Sequence, residues 1–310
     1  MKRFFVAIAA IALAATMASA QDFSAAVELF NNGAQAFNDG NKVEAVNFYK
    51  QALTQFTACE GEEAEEKVSQ LKDLIPNICI SIANDQIKEA DYDAALATLA
   101  EAKALAAEYG NEDAAEKADE KVANVYLTKG NSLLKAKDFA GAVEALKEAV
   151  ALKAEDAKAQ LLLGQALLQN GAADAAIAAL EKAAELGEEV SANKLLSTTY
   201  LKKGMALVKA GKNAEAIEAL EKSNSYVESA NAYKLLGSAY TKSGKNKDAI
   251  AAYKKYLEVD PGAKDAADIN LTIAATAQKS GDKAPAIEYY KKLAGTKHAA
   301  TAEAQLKTLK

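Results

Sequence analysis

The chain has 310 residues, 37 of them Lys or Arg and 43 Asp or Glu, with a formal net charge of −6. Half of it is hydrophobic, but aromatics make up 6%, Trp is absent and Pro occurs three times. An acidic balance argues against nucleic acid and against anionic membrane surfaces, both of which demand clustered cations, and a single His excludes a two-His zinc site.

At the N-terminus, Lys2 and Arg3 precede an apolar run from Phe4 to Met17 and the small residues Ala18, Ser19 and Ala20. This is the pattern of a cleavable export signal, and the run is short for a membrane span. Cleavage is expected after Ala20, leaving a periplasmic or secreted chain with no membrane span. An uncleaved anchor is the alternative. Without Lys2 and Arg3, 35 basic residues face the 43 acidic ones, a net charge of −8.

From residue 23 onward the residue pattern predicts paired helices. The first pair carries Gly33, Gly40 and the block Ala45-Val46…Tyr49. An insertion follows, with acidic residues from Glu60 to Glu66, that reads as an added or lengthened helix with Pro76 at a break or a new start. Cys59 and Cys79 lie around it. In an oxidising compartment they can pair, and two small buried apolar side chains are the competing reading. The second pair carries Ala83, Ala90 and Ala95-Leu96…Leu99, and is followed by another long stretch at 104–121. The third carries Gly130, Lys137 and Ala142-Val143…Leu146, and the fourth Gly164, Gly171 and Ala176-Ile177…Leu180. Residues 188–196 lengthen the first helix of the fifth pair, which carries Gly204, Gly211 and Ala216-Ile217…Leu220. The sixth carries Gly237, Gly244 and Ala249-Ile250…Tyr253, and the seventh Ala274, Gly281 and Ala286-Ile287…Tyr290. Residues 299–310 read as a closing helix with a solvated face.

The block alanines are spaced 50, 47, 34, 40, 33 and 37 residues apart. The first small residue of each set lets two helices approach closely. The second suits the left-handed stop of a helix. Asn41, Asp91, Asp138, Asn213 and Asp282 follow as cap or turn residues. The block alanine packs the second helix on the first.

This register resembles the tetratricopeptide repeat, most closely at residues 157–187 and 230–263. The second of these shows Tyr233, Leu236-Gly237, Tyr240, Gly244, Ala249-Ile250, Tyr253, Tyr256 and Pro261. The resemblance implies an all-α, right-handed superhelical solenoid of about seven helix-turn-helix units with helical insertions. The expected organisation is a signal at 1–20, irregular units at 21–122, a more regular array at 123–298 and a capping helix at 299–310.

No residue pattern points to catalysis, a metal or a cofactor. His298 lies near the C-terminus and reads as a solvated surface residue. Gly204…Gly211-Lys212 and Gly237…Gly244-Lys245 have six residues between the glycines, and Asn after the Lys, where a phosphate-binding loop needs four residues and Ser or Thr. Tyr253, Tyr256, Tyr289 and Tyr290 fall largely on core positions, with a sugar-stacking platform as the alternative.

The resemblance implies a protein-binding scaffold or adaptor whose first helices line a concave groove. Carried over by register, the groove positions are Asn124, Leu127, Asn131, Leu134 and Lys135; Leu161, Gln165 and Leu168; Met205, Val208 and Lys209; and Ser238, Thr241 and Lys242. Leu127 and Leu161 stand where relatives that clamp a peptide carboxylate carry Lys, and only Asn131 supplies their amide. A mixed groove suits a partner with spaced apolar anchors. The competing readings are a solute- or glycan-binding protein, an enzyme with an unrecognised acidic pair, and self-association.

Overall fold

A computed structural model describes residues 22–309. The expected export signal lies outside the described residues. Fifteen helices are seen among them: α1 (residues 22–38), α2 (Lys42–Thr57), α3 (Glu62–Lys88), α4 (Tyr92–Tyr109), α5 (Glu112–Lys135) and α6 (Phe139–Leu152) in a first compact unit that ends at Glu155; and α7 (Ala157–Gln169), α8 (Ala173–Ala183), α9 (Glu189–Lys209), α10 (Asn213–Tyr226), α11 (Ala230–Lys242), α12 (Asn246–Val259), α13 (Ala266–Lys279), α14 (Lys283–Lys291) and α15 (Ala299–Thr308) in a second that starts at Asp156. They form seven helix pairs, three in the first unit and four in the second, with α15 packed on α14. The division is at 155/156. The expected boundary at 122/123 falls inside α5.

The small residue of each first helix faces the large residue sixteen positions later. A Cβ added to Gly33 would meet Tyr49 at 2.8 Å, one on Gly130 would meet Leu146 at 2.4 Å, and one on Gly237 would meet the Tyr253 ring at 2.6 Å. The block alanines Ala45, Ala95, Ala142, Ala176, Ala216, Ala249 and Ala286 are fully buried. Leu146, Leu180 and Leu220 are too, each contributing about 1.5–3 kcal/mol by removal from water.

The turn inside each pair repeats one geometry. After α1 the Asn41 amide donates to the Ala36 carbonyl at 2.8 Å and the Gly40 amide to Phe37 at 3.1 Å; after α11 Lys245 donates to Tyr240 at 2.9 Å and Gly244 to Thr241 at 3.1 Å. This pair of bonds closes a helix on one left-handed residue. Ala90 (φ 62°) and Lys137 (φ 64°) adopt that conformation as well, although they carry a Cβ. Of the expected caps, Asp91 accepts from the Ala94 amide and Asp138 from Gly141. Asn41 and Asp282 hold the cap position without a side-chain bond, and Asn213 is the first residue of α10.

The insertions lengthen helices. Residues 62–88 form one helix through Pro76, which is buried, so Pro76 marks neither a break nor a start. The 104–121 stretch is shared between α4 and α5, which turn at Gly110. Ahead of α9 a wide helical turn at Ala184–Glu188 bends at Gly187 (φ 114°). None of the described helices is long and apolar enough to cross a membrane.

Candidate functional site: the row of first helices

In the second unit the first helix α9 contacts the first helices α7 and α11 directly, and the second helices α8, α10 and α12 alternate with them. The lengthened α9 turns a continuous exposed stripe outward: Lys194, Thr198, Lys202, Met205 and Lys209, in steps of four, four, three and four residues. That spacing keeps all five on one helix face. Met205 is 41% exposed, and Val190 near the start of the same helix is 86% exposed.

The expected groove residues divide by burial. On α5, Asn124 and Lys135 are exposed, while Leu127, Asn131 and Leu134 are half-buried. On α7, Leu161 is buried in a core with Ile177, Leu180 and Leu196, so it supports the helix stack and is not available to a partner. Leu168 packs half-buried against the same core, and Gln165 is half-buried. Met205 and Lys209 on α9 are open, whereas Val208 leans on the core between α10 and α11. On α11, Ser238 is half-buried and Lys242 exposed. Thr241 is also exposed, and its hydroxyl donates to the Gly237 carbonyl at 2.7 Å. The sequence reading missed Lys194, Thr198 and Lys202. Of these, Lys194 lies in the added residues 188–196, Thr198 stands six residues before Gly204 as Asn124 stands before Gly130, and Lys202 falls between the groove positions of the register. Running the helical spacing back from Met205 would have found all three.

The charge is uneven. Helices α7, α9 and α11 carry seven lysines and one acidic residue, Glu189. The second helices α8, α10 and α12 carry seven acidic residues and five lysines. In the first unit, α3 and α5 together carry eleven acidic residues and seven lysines. Two lysines of the row are tied down, Lys203 to Asp174 at 2.9 Å and Lys234 to Asp265 at 2.6 Å. Lys158, Lys194, Lys202, Lys209 and Lys242 are exposed and form no ion pair within 4.0 Å among the described residues.

Elsewhere, Cys59 and Cys79 are free thiols. Burial pushes the Cys79 thiol up to about 11. His298 is not merely solvated: its Nε2 lies 2.5 Å from Asp268 Oδ1, with the Lys297 ammonium 2.8 Å from the same oxygen. Hydrogen bonding to Lys297 foremost, and then to His298, holds the Asp268 carboxyl below its usual range. Tyr253, Tyr256, Tyr289 and Tyr290 are buried packing residues. An open cleft of about 420 Å³ lies among α10, α11 and α12 beside Tyr233, Tyr240, Asn224 and Lys255. Tyr240 donates to the Glu221 carboxylate, and burial followed by that bond raises its phenol. No group of three or more His, Cys, Asp or Glu among the described residues is placed to hold a metal.

The tetratricopeptide-repeat family model matches residues 127–190 and 201–268. A search of curated proteins finds no match. Among solved structures the chain is similar to MamA AMB-1 (25% identity, TM-score 0.37, covering 56% of this chain and 90% of that one) and to MamA 41-end from Desulfovibrio magneticus RS-1 (23%, 0.33, 55% and 92%). It is also similar to YrrB, described as a tetratricopeptide-repeat protein with an unusual peptide-binding site (20%, 0.34, 67% and 93%).

Proposed function

Since the chain belongs to the tetratricopeptide-repeat family through residues 127–190 and 201–268, we propose that it is a non-catalytic interaction scaffold of the cell envelope. In this reading it takes a partner segment along the first helices of its pairs. The observation that carries the reading is the stripe on α9, an unbroken exposed line with a half-open methionine between lysines. A helix stack buries the faces its neighbours cover, so a face left open along its whole length is free for another chain. Envelope placement rests on the export pattern at residues 1–20, which implies a mature chain beginning at Gln21.

The test is site-specific photo-cross-linking in the native host, with the probe at Thr198 or Met205 on α9, or at Glu218 on the second helix α10. Partner adducts from α9 and not from Glu218 are expected. Adducts confined to Glu218 would overturn the face assignment. Fractionation with N-terminal sequencing tests the export step: a cytoplasmic chain that retains Met1 refutes it.

A further inference from the structure

We infer that the segment received by the second unit is acidic: a stretch of protein rich in Asp and Glu with a few spaced apolar side chains. The inference rests on the scaffold reading and names the chemistry of its partner. A protein of net charge −6 has gathered seven lysines against one carboxylate on three adjacent helices. Nothing local requires this. The second helices of the same unit mix both signs, and Lys203 and Lys234 show that lysines here pair with carboxylates when one is near.

The remaining lysines follow a geometric pattern. Lys209 and Lys242 hold the same register on α9 and α11, each two residues before the left-handed glycine that ends its helix. Lys202 lies two turns before Lys209, and Lys194 two turns before Lys202. Lys158 lies in the first turn of α7. Lys194, Lys202 and Lys209 therefore share one face of α9 with Met205, and Lys158 and Lys242 add exposed cations on the two first helices that α9 contacts. Unpaired lysines repel each other, and that repulsion is relieved when an anion lies along them. The methylene stems of these lysines, with the exposed Met205 among them on α9, add apolar surface beneath the charged heads. Lys also fits this role in another way. Its ammonium is a point charge without the fork geometry of Arg, so it reads acidity and not one fixed carboxylate position.

The experiment pans the purified mature chain against a display library of random short peptides, then measures selected peptides by fluorescence anisotropy at low and high salt. The expected pool is enriched in Asp and Glu with interspersed Leu, Ile or Phe. Affinity should fall roughly tenfold or more with salt, and as much in Lys202→Glu/Lys209→Glu/Lys242→Glu. These three side chains are exposed, and circular dichroism checks that the variant remains folded. A neutral or basic pool that binds without salt dependence and is lost in Met205→Asp overturns the acidic partner but keeps the face. A pool unaffected by either variant, or no enrichment at all, overturns the face itself. Concentration-dependent self-association that the triple variant abolishes overturns the separate partner in favour of a second copy, whose α3 and α5 are acid-rich.

Discussion

The turn that joins the two helices of a pair gives the sharpest stability prediction. Five of the seven turns place Gly in the left-handed position, with φ between 73° and 86°, and two place Ala90 and Lys137 there instead. A residue with a Cβ in that conformation costs about 1–2 kcal/mol. Gly returns part of this through the greater freedom of its unfolded chain, about 0.5–1 kcal/mol. Lys137→Gly should therefore stabilise the protein by about 0.5–1 kcal/mol, and Ala90→Gly/Lys137→Gly by about 1–2 kcal/mol, because the sites occupy separate turns. The reverse changes isolate the backbone effect. A Cβ added to Gly211 or Gly244 would find no atom within 4 Å, so Gly244→Ala has no clash to pay for and should still lose about 1 kcal/mol. Urea denaturation followed by the helical circular dichroism signal gives the midpoint and slope. A lowered midpoint in Lys137→Gly, with an unchanged one in Gly244→Ala, would refute the argument that this backbone conformation limits stability.

The close approach within a pair predicts the opposite sign at a buried glycine. Gly237→Ala forces the Tyr253 ring back by about 0.8 Å to reach ordinary contact. Overpacking of about 1–3 kcal/mol then outweighs the ~1 kcal/mol gain in helix propensity, and an unchanged or higher melting temperature would contradict this. Cys79 should resist iodoacetamide in the native protein while Cys59 reacts, because a thiol pushed to about 11 is thiolate only on the order of 10⁻⁴ of the time at neutral pH. Failure of both to label before reduction, with labelling afterwards, would show a bridge. Lys42 and Lys88 hold the Asp85 carboxyl down at about 2, and Lys42 ties α2 to α3. Its folded value lies below its unfolded one, so its contribution is present above about pH 4 and lost as pH falls towards 2. Asp85→Asn should flatten the acid limb of a urea-melt series in that window, and an unchanged limb would show that the tie contributes nothing.

Much of this molecule is local, and what is local was legible. Each pair carries its own close-approach residue, left-handed stop and packing alanine. Seven sets in one register therefore implied seven helix pairs, and α15 was expected as their closure. The same register placed Lys209 and Lys242. It could not decide what a neighbouring pair covers. Leu161 and Met205 belong to the same class of first-helix position, yet Leu161 is sealed by Ile177, Leu180 and Leu196 while Met205 stands open. Pro76 looked like a break because it lacks an amide proton, but packing within the first unit buries it and carries α3 through it. His298 looked solvated because Asp268 is thirty residues away in sequence; only the packing of the last helices brings them together. Sequence by itself determined the helices and their pairing, since helix stops and close packing depend on residues within one repeat. The tertiary structure alone decided burial, the pairing of distant charges and which lysines stand without an ion pair among the described residues, since those depend on atoms contributed by other repeats.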